Sequence, residues 1–154
     1  MYSFDKRKDQ LDVHKFMRRI IDTSTPVPSA VDQRWEGRSL RAMPVLICPV
    51  QDGTPIVDEA TFALTENLSS DGVSIVLPSE LAAYRVVVGF WVESRVELVL
   101  GQVKRQAPLG GGFWRLGVQL LEQANRGSFP AWNELSTLVK QLDPEAAAFG
   151  QAAS

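Results

Sequence analysis

Residues 113–122, Phe113-Trp-Arg-Leu-Gly-Val-Gln-Leu-Leu-Glu122, put Trp114, Leu116, Val118 and Leu120 on one parity and Arg115, Gly117, Gln119 and Leu121 on the other. Successive side chains of a strand point to opposite faces, so this period of two predicts a β-strand with one apolar face. Working backwards, Val96, Leu98, Leu100 and Val103 predict a strand over 95–105, with Gly101 disturbing the alternation as a bulge does. Gly110-Gly111-Gly112 is the loop between the two. Further β-rich runs occupy 84–92, 73–77, 60–68 and 43–50, separated by Glu93-Ser94, Pro78-Ser79 and Asp52-Gly53. Asp-Gly supplies the positive φ that a tight hairpin needs, and the intervals are too short for helical crossovers. The expected core is a six-stranded antiparallel β-barrel over 43–122, since a small sheet avoids open edges most simply by closing on itself. Beyond it, Leu135, Leu138, Val139 and Leu142 repeat at helical spacing and predict a C-terminal helix over 130–142, set against one opening of the barrel.

The chain ahead of the barrel reads differently. Val13, Phe16, Met17, Ile20 and Ile21 follow the i, i+3, i+4, i+7, i+8 spacing of one helical face, with His14, Lys15, Arg18, Arg19 and Asp22 largely off it. This N-terminal amphipathic helix either docks on another protein or packs on its own barrel. Residues 23–29, with two prolines and several hydroxyl side chains, break the pattern. The organisation is thus a helix and linker over 1–30, then a domain over 31–142 made of an arm (31–42), the barrel (43–122) and the helix (130–142), with an Ala-rich tail over 143–154 expected to be flexible. The fold class is an all-β core with flanking helices.

The 154 residues suit one domain, and 45% hydrophobic with 22% charged residues excludes the disordered class. Sixteen basic against 18 acidic residues, a net charge of -2, argues against a nucleic-acid polymer as partner, so any anion site must be local. A single cysteine and the lack of a long apolar run predict a cytoplasmic protein without membrane insertion. No enzyme is expected. His14 has no nucleophile partner in a known motif, one Cys and one His cannot build a structural zinc site, and the triple glycine lacks the Lys-Ser/Thr of a phosphate loop. Glu93 and Glu97 read as a solvated face, and Cys48, in an apolar run, as a small buried hydrophobe.

Two constellations remain. Arg34-Trp35-Glu36-Gly37-Arg38 sets two arginines four apart just before the first strand, with Arg41 close behind. Asn67-Leu68-Ser69-Ser70-Asp71-Gly72 joins the second and third strands. In this order on a six-stranded core they resemble the PilZ domain family, whose signature is Arg-x-x-x-Arg ahead of strand one and Asp/Asn-x-Ser-x-x-Gly after strand two. Arg34 and Arg38 match the first motif and Asn67, Ser69 and Gly72 the second. Pro44-Val45, Pro49-Val50, Asp52-Gly53 and Leu116-Gly117-Val118-Gln119-Leu120 are also similar to the family, so the resemblance spans about Arg34 to Leu121.

The resemblance implies a bacterial receptor for the dinucleotide second messenger cyclic di-GMP, with no other cofactor, that signals through a downstream protein partner. Residue chemistry agrees. An arginine fork donates bidentately to phosphate or to the guanine O6/N7 edge and stacks on a base. By similarity Arg34 and Arg38 take that role, with Arg41 nearby and Trp35 able to stack on guanine. Asn67 can donate and accept at a guanine edge, Ser69 adds a hydroxyl, and Gly72 keeps the approach free of a side chain. Two other readings remain. One is a PilZ-like adaptor that has lost nucleotide binding and acts only through protein contacts. The other, a β-barrel enzyme or apolar-ligand carrier, needs polar groups converging inside the barrel, where Val, Leu, Ile and Phe are expected instead.

Overall fold

Five consecutive buried residues, Val45-Leu46-Ile47-Cys48-Pro49, open the sheet, and a strand buried throughout must be covered on both faces. The computed structural model, which describes residues 13–15, 17, 39–40, 42–124 and 127–143, shows how. The strands are β1 (Ser39–Leu40), β2 (Pro44–Gln51), β3 (Thr54–Pro55), β4 (Thr61–Leu68), β5 (Gly72–Leu77), β6 (Arg85–Val92), β7 (Arg95–Gly110) and β8 (Phe113–Gln123). They form one sheet in the order β1-β4-β5-β8-β7-β6-β2-β3, and an added pairing of β4 with β2 closes it. The result is the expected six-stranded antiparallel barrel of β2, β4, β5, β8, β7 and β6, with the two-residue strands β1 and β3 as extensions.

Turn chemistry accounts for the hairpins. Asp52 and Gly53 have φ of 53° and 77°, and Glu93 and Ser94 have φ of 53° and 61°. Paired positive φ values match the right-handed twist of the flanking strands. Gly110, Gly111 and Gly112 are all at positive φ between β7 and β8, where side chains would be strained. The irregularity expected at Gly101 is present opposite it: the register shifts between Leu100 and Gly101, and the extra residue is Leu121 of β8. β7 runs to Gly110, five residues beyond its expected end at 105.

The interior is dry. Val45, Ile47, Ile75, Val88, Phe90 and Leu116 belong to one buried cluster that fills the barrel, and Thr65 is the buried polar residue among those described. Its hydroxyl accepts the Met43 N–H at 2.9 Å. Helical residues Val13 and Met17 join this cluster with no exposed surface, while His14 and Lys15 are exposed. The N-terminal apolar stripe therefore packs on its own barrel at these two positions; Phe16, Ile20 and Ile21 lie outside the described residues.

The C-terminal helix, Trp132–Lys140, departs from expectation in its placement. It covers the outer wall of the barrel in place of an opening. Leu135 and Val139 are fully buried in a second cluster with Leu46 and Cys48 of β2, Val87 of β6 and Leu98 of β7, the outward partners of the interior residues beside them. This gives β2 and β6 their second apolar face. Cys48 is fully buried there, and burial pushes its thiol up to about 11. No helix among the described residues is long and apolar enough to cross a membrane.

Gly89 on β6 lies close under the helix, since a Cβ built there would collide with Val139 Cγ2 and come 3.3 Å from Leu46 Cβ. Val139 is β-branched and cannot swing aside. Gly89→Val is expected to lower stability by about 1–3 kcal/mol through overpacking, measured as a shifted urea midpoint. An unchanged midpoint would show that the helix is held loosely.

Candidate functional site

With the interior filled and the β2/β6/β7 wall covered by the helix, the outer face of β4, β5, β8 and the far part of β7 is left open. A cleft of about 690 Å³ lies on it, within the usual size range of a small-molecule site. Its row of cross-strand partners runs Asn67, Ser74, Gly117, Arg105, one from each of the four strands. The inward neighbours Val73, Ile75, Leu116 and Val118 are buried, as the pleat requires.

Two β-bulges supply the walls. In β4 the register shifts between Thr65 and Asn67, so Glu66 is inserted and both Glu66 and Asn67 line the cleft. In β7 it shifts between Val103 and Arg105, so Lys104 is inserted and both Lys104 and Arg105 line the opposite side. An extra residue breaks the alternation and lets two successive polar side chains face one way. Gly117 forms part of the floor, and a Cβ there would meet Arg105 Cγ at 3.3 Å and Nε at 3.6 Å. The missing side chain lets Arg105 lie across β8.

The second motif sits on this cleft. Asn67 is the half-buried penultimate residue of β4, and Ser69 and Gly72 form the β4–β5 turn. Ser69 donates both its N–H (3.0 Å) and its hydroxyl (3.3 Å) to the Gly72 carbonyl. Gly72 is needed for close approach: a Cβ there would be 3.1 Å from the Val118 carbonyl oxygen on β8. The Asp71 carbonyl accepts the Leu120 N–H at 2.8 Å and ties the turn to β8. Arg34, Trp35, Arg38 and Arg41 lie outside the described residues. The chain is described again at Ser39, which pairs with Leu68, and Leu40, which pairs with Asn67. One peptide unit therefore separates Arg38 from a residue paired at the strand end that carries Asn67.

Lys104, Arg105 and Arg115, the basic residues of the lining, are absent from both motifs. Arg115 was visible as a polar position in the alternating run over 113–122, and Lys104-Arg105 as two adjacent cations at a strand end. Neither signal distinguishes a site from a solvated face. Arg115 donates from Nε to Glu66 Oε1 at 2.7 Å and from Nη2 to Oε2 at 2.8 Å, and the Ser74 hydroxyl donates to Oε1 at 3.1 Å. These bonds, the Arg115 ones foremost, hold the Glu66 carboxyl below its ordinary value. A second hollow of about 430 Å³, lined in part by Val50, Leu100 and Phe129, sets Arg85 against Asp52 and Glu122 and suits an anion less well.

The lowered Glu66 carboxyl makes a signed prediction. A depressed carboxylate stabilises the fold above its unfolded value, about 4.3, and that contribution disappears as pH falls through the lower folded value. Arg115 is half exposed, so the pair contributes no more than about 1 kcal/mol. Glu66→Gln should be less stable than the parent by that amount or less at pH 7. The gap should close as pH falls below about 4, read from urea midpoints at each pH.

No protein-family model, no curated protein and no solved structure matches this chain. The resemblance drawn from the two motifs thus stands on the residues themselves.

Proposed function

We propose that this chain is a PilZ-like receptor that binds cyclic di-GMP on the outer face of the barrel and converts that binding into a changed contact with a downstream protein. The observation that carries the reading is the pairing of β1 with the end of β4. It delivers the chain directly after Arg38 to the strand end bearing Asn67, beside a cleft that Ser69 and Gly72 also line. The chain that follows the first motif and the residues of the second thereby share one strand end.

The chemistry supports it further. Cyclic di-GMP carries two phosphodiester charges and two guanines. Lys104 and Arg105 supply cations on one wall, the chain that follows the arginine motif pairs at the other, and the Asn67 amide can pair with a guanine edge. The apolar interior speaks against an apolar-ligand carrier, since among the described residues no polar groups converge inside the barrel to orient a bound molecule.

Calorimetric titration of the full chain with cyclic di-GMP tests the reading. Saturable heat is expected, weakening as salt rises because the partly exposed charges are screened. Arg38→Ala should weaken binding about ten- to a hundredfold, the loss expected for hydrogen bonds to a charged group. Arg38→Lys should restore little, because lysine keeps the charge without the planar fork. A parent protein that gives no signal hands the assignment to the adaptor that has lost its nucleotide.

A further inference from the structure

The bulge in β7 turns Lys104 and Arg105 to the same side, and both are exposed. Among the described residues neither has an ion-pair partner, whereas Arg115 next to them is held by two bonds from Glu66. Along the row Asn67, Ser74, Gly117, Arg105, three inter-strand steps separate the Asn67 wall from the Arg105 wall, about 14 Å at the spacing of paired strands. β1, which follows the arginine motif in sequence, pairs at the Asn67 end. A dinucleotide is long enough to reach from one wall to the other. A ligand with two phosphates can engage both, its rings over the low floor of Ser74 and Gly117.

We infer that Lys104 and Arg105, aimed by the β7 bulge, form a second anion subsite that takes one phosphodiester of the bound cyclic dinucleotide while the arginine motif takes the other. The inference rests on the binding proposed above and assigns residues that neither motif contains. Arg105 is placed for it by Gly117, whose bare backbone leaves the guanidinium stem room to lie across β8 and present its fork over the floor.

The test is titration of the full chain with cyclic di-GMP, comparing the parent with Arg105→Ala, Arg105→Lys, Lys104→Ala and Arg38→Ala/Arg105→Ala. Arg105→Ala should weaken binding about ten- to a hundredfold and Lys104→Ala about three- to tenfold, with circular dichroism unchanged. Arg105→Lys should recover only part of the loss, since the fork is what it lacks. On this inference Arg38 and Arg105 meet different phosphates, so in the double variant the two losses should multiply. If the parent binds and both Arg105→Ala and Lys104→Ala stay within about twofold of it, recognition lies wholly with the two motifs, and this inference falls while the function stands. If the parent does not bind cyclic di-GMP, both fall together.

Discussion

Closure of the sheet through β2 and β4 is the constraint from which the rest follows. Once the six long strands form a ring, each of their residues points inside or outside, and the inside is filled by branched aliphatic and aromatic side chains packed on one another. The outside is divided just as firmly. The wall made by β2, β6 and β7 is apolar and lies under the C-terminal helix, so the remaining open wall is that of β4, β5, β8 and the distal part of β7. All three second-motif residues, Asn67, Ser69 and Gly72, and three cations line it.

A regular barrel wall is a poor binding surface, because each strand offers only every second side chain. Bulges at Glu66 and Lys104 relieve this on the two strands that bound the cleft. Each doubles the polar side chains facing the cleft from its strand, while the strands between them stay in register and contribute small residues at the crossing row, Ser74 and Gly117. The cleft thus arises from raised edges around a low floor. Gly117 has no positive φ to explain it, and in mid-strand glycine is a weak choice, so the close passage of Arg105 is its physical reason.

Much of the barrel was legible in the sequence because a period of two is a strong signal where one face is apolar. The alternation of Leu116, Val118 and Leu120, the Asp52-Gly53 turn and the irregularity at Gly101 all have direct structural counterparts. The position of the C-terminal helix was not read, since helical periodicity in Leu135 and Val139 announces a buried face without naming its partner. A clue existed in Val45-Leu46-Ile47-Cys48 and Val86-Val87-Val88, which are apolar on both parities and so demand cover on both faces of β2 and β6. The bulges at Glu66 and Lys104 were hidden for a different reason. In the polar surroundings of Thr65-Glu66-Asn67 and Lys104-Arg105 a missed beat looks like the end of a strand, which is where β7 was expected to stop. Of the site, the sequence showed the motif residues Asn67, Ser69 and Gly72 but neither the basic wall nor the Glu66–Arg115 pair, whose members are 49 residues apart.

The ion pair bears on how a chain of net charge -2 can present an anion site. Glu66 is held ionised by Arg115 and Ser74, so near neutral pH its charge is constant and cancels that of Arg115. Asp71, also in the lining, offsets one further cation, which leaves the described cleft only weakly positive. Arg115 therefore acts less as a free cation than as a brace that spans from β8 to the β4 bulge and keeps Glu66 from turning toward the cleft centre. On the proposed reading a ligand with two negative charges needs further cations, and Arg34 and Arg38, just ahead of β1 in sequence, are where the chain carries them. On the proposed reading the cleft alone is an incomplete site: the β7 wall provides one anchor, and affinity depends on the arm supplying the other.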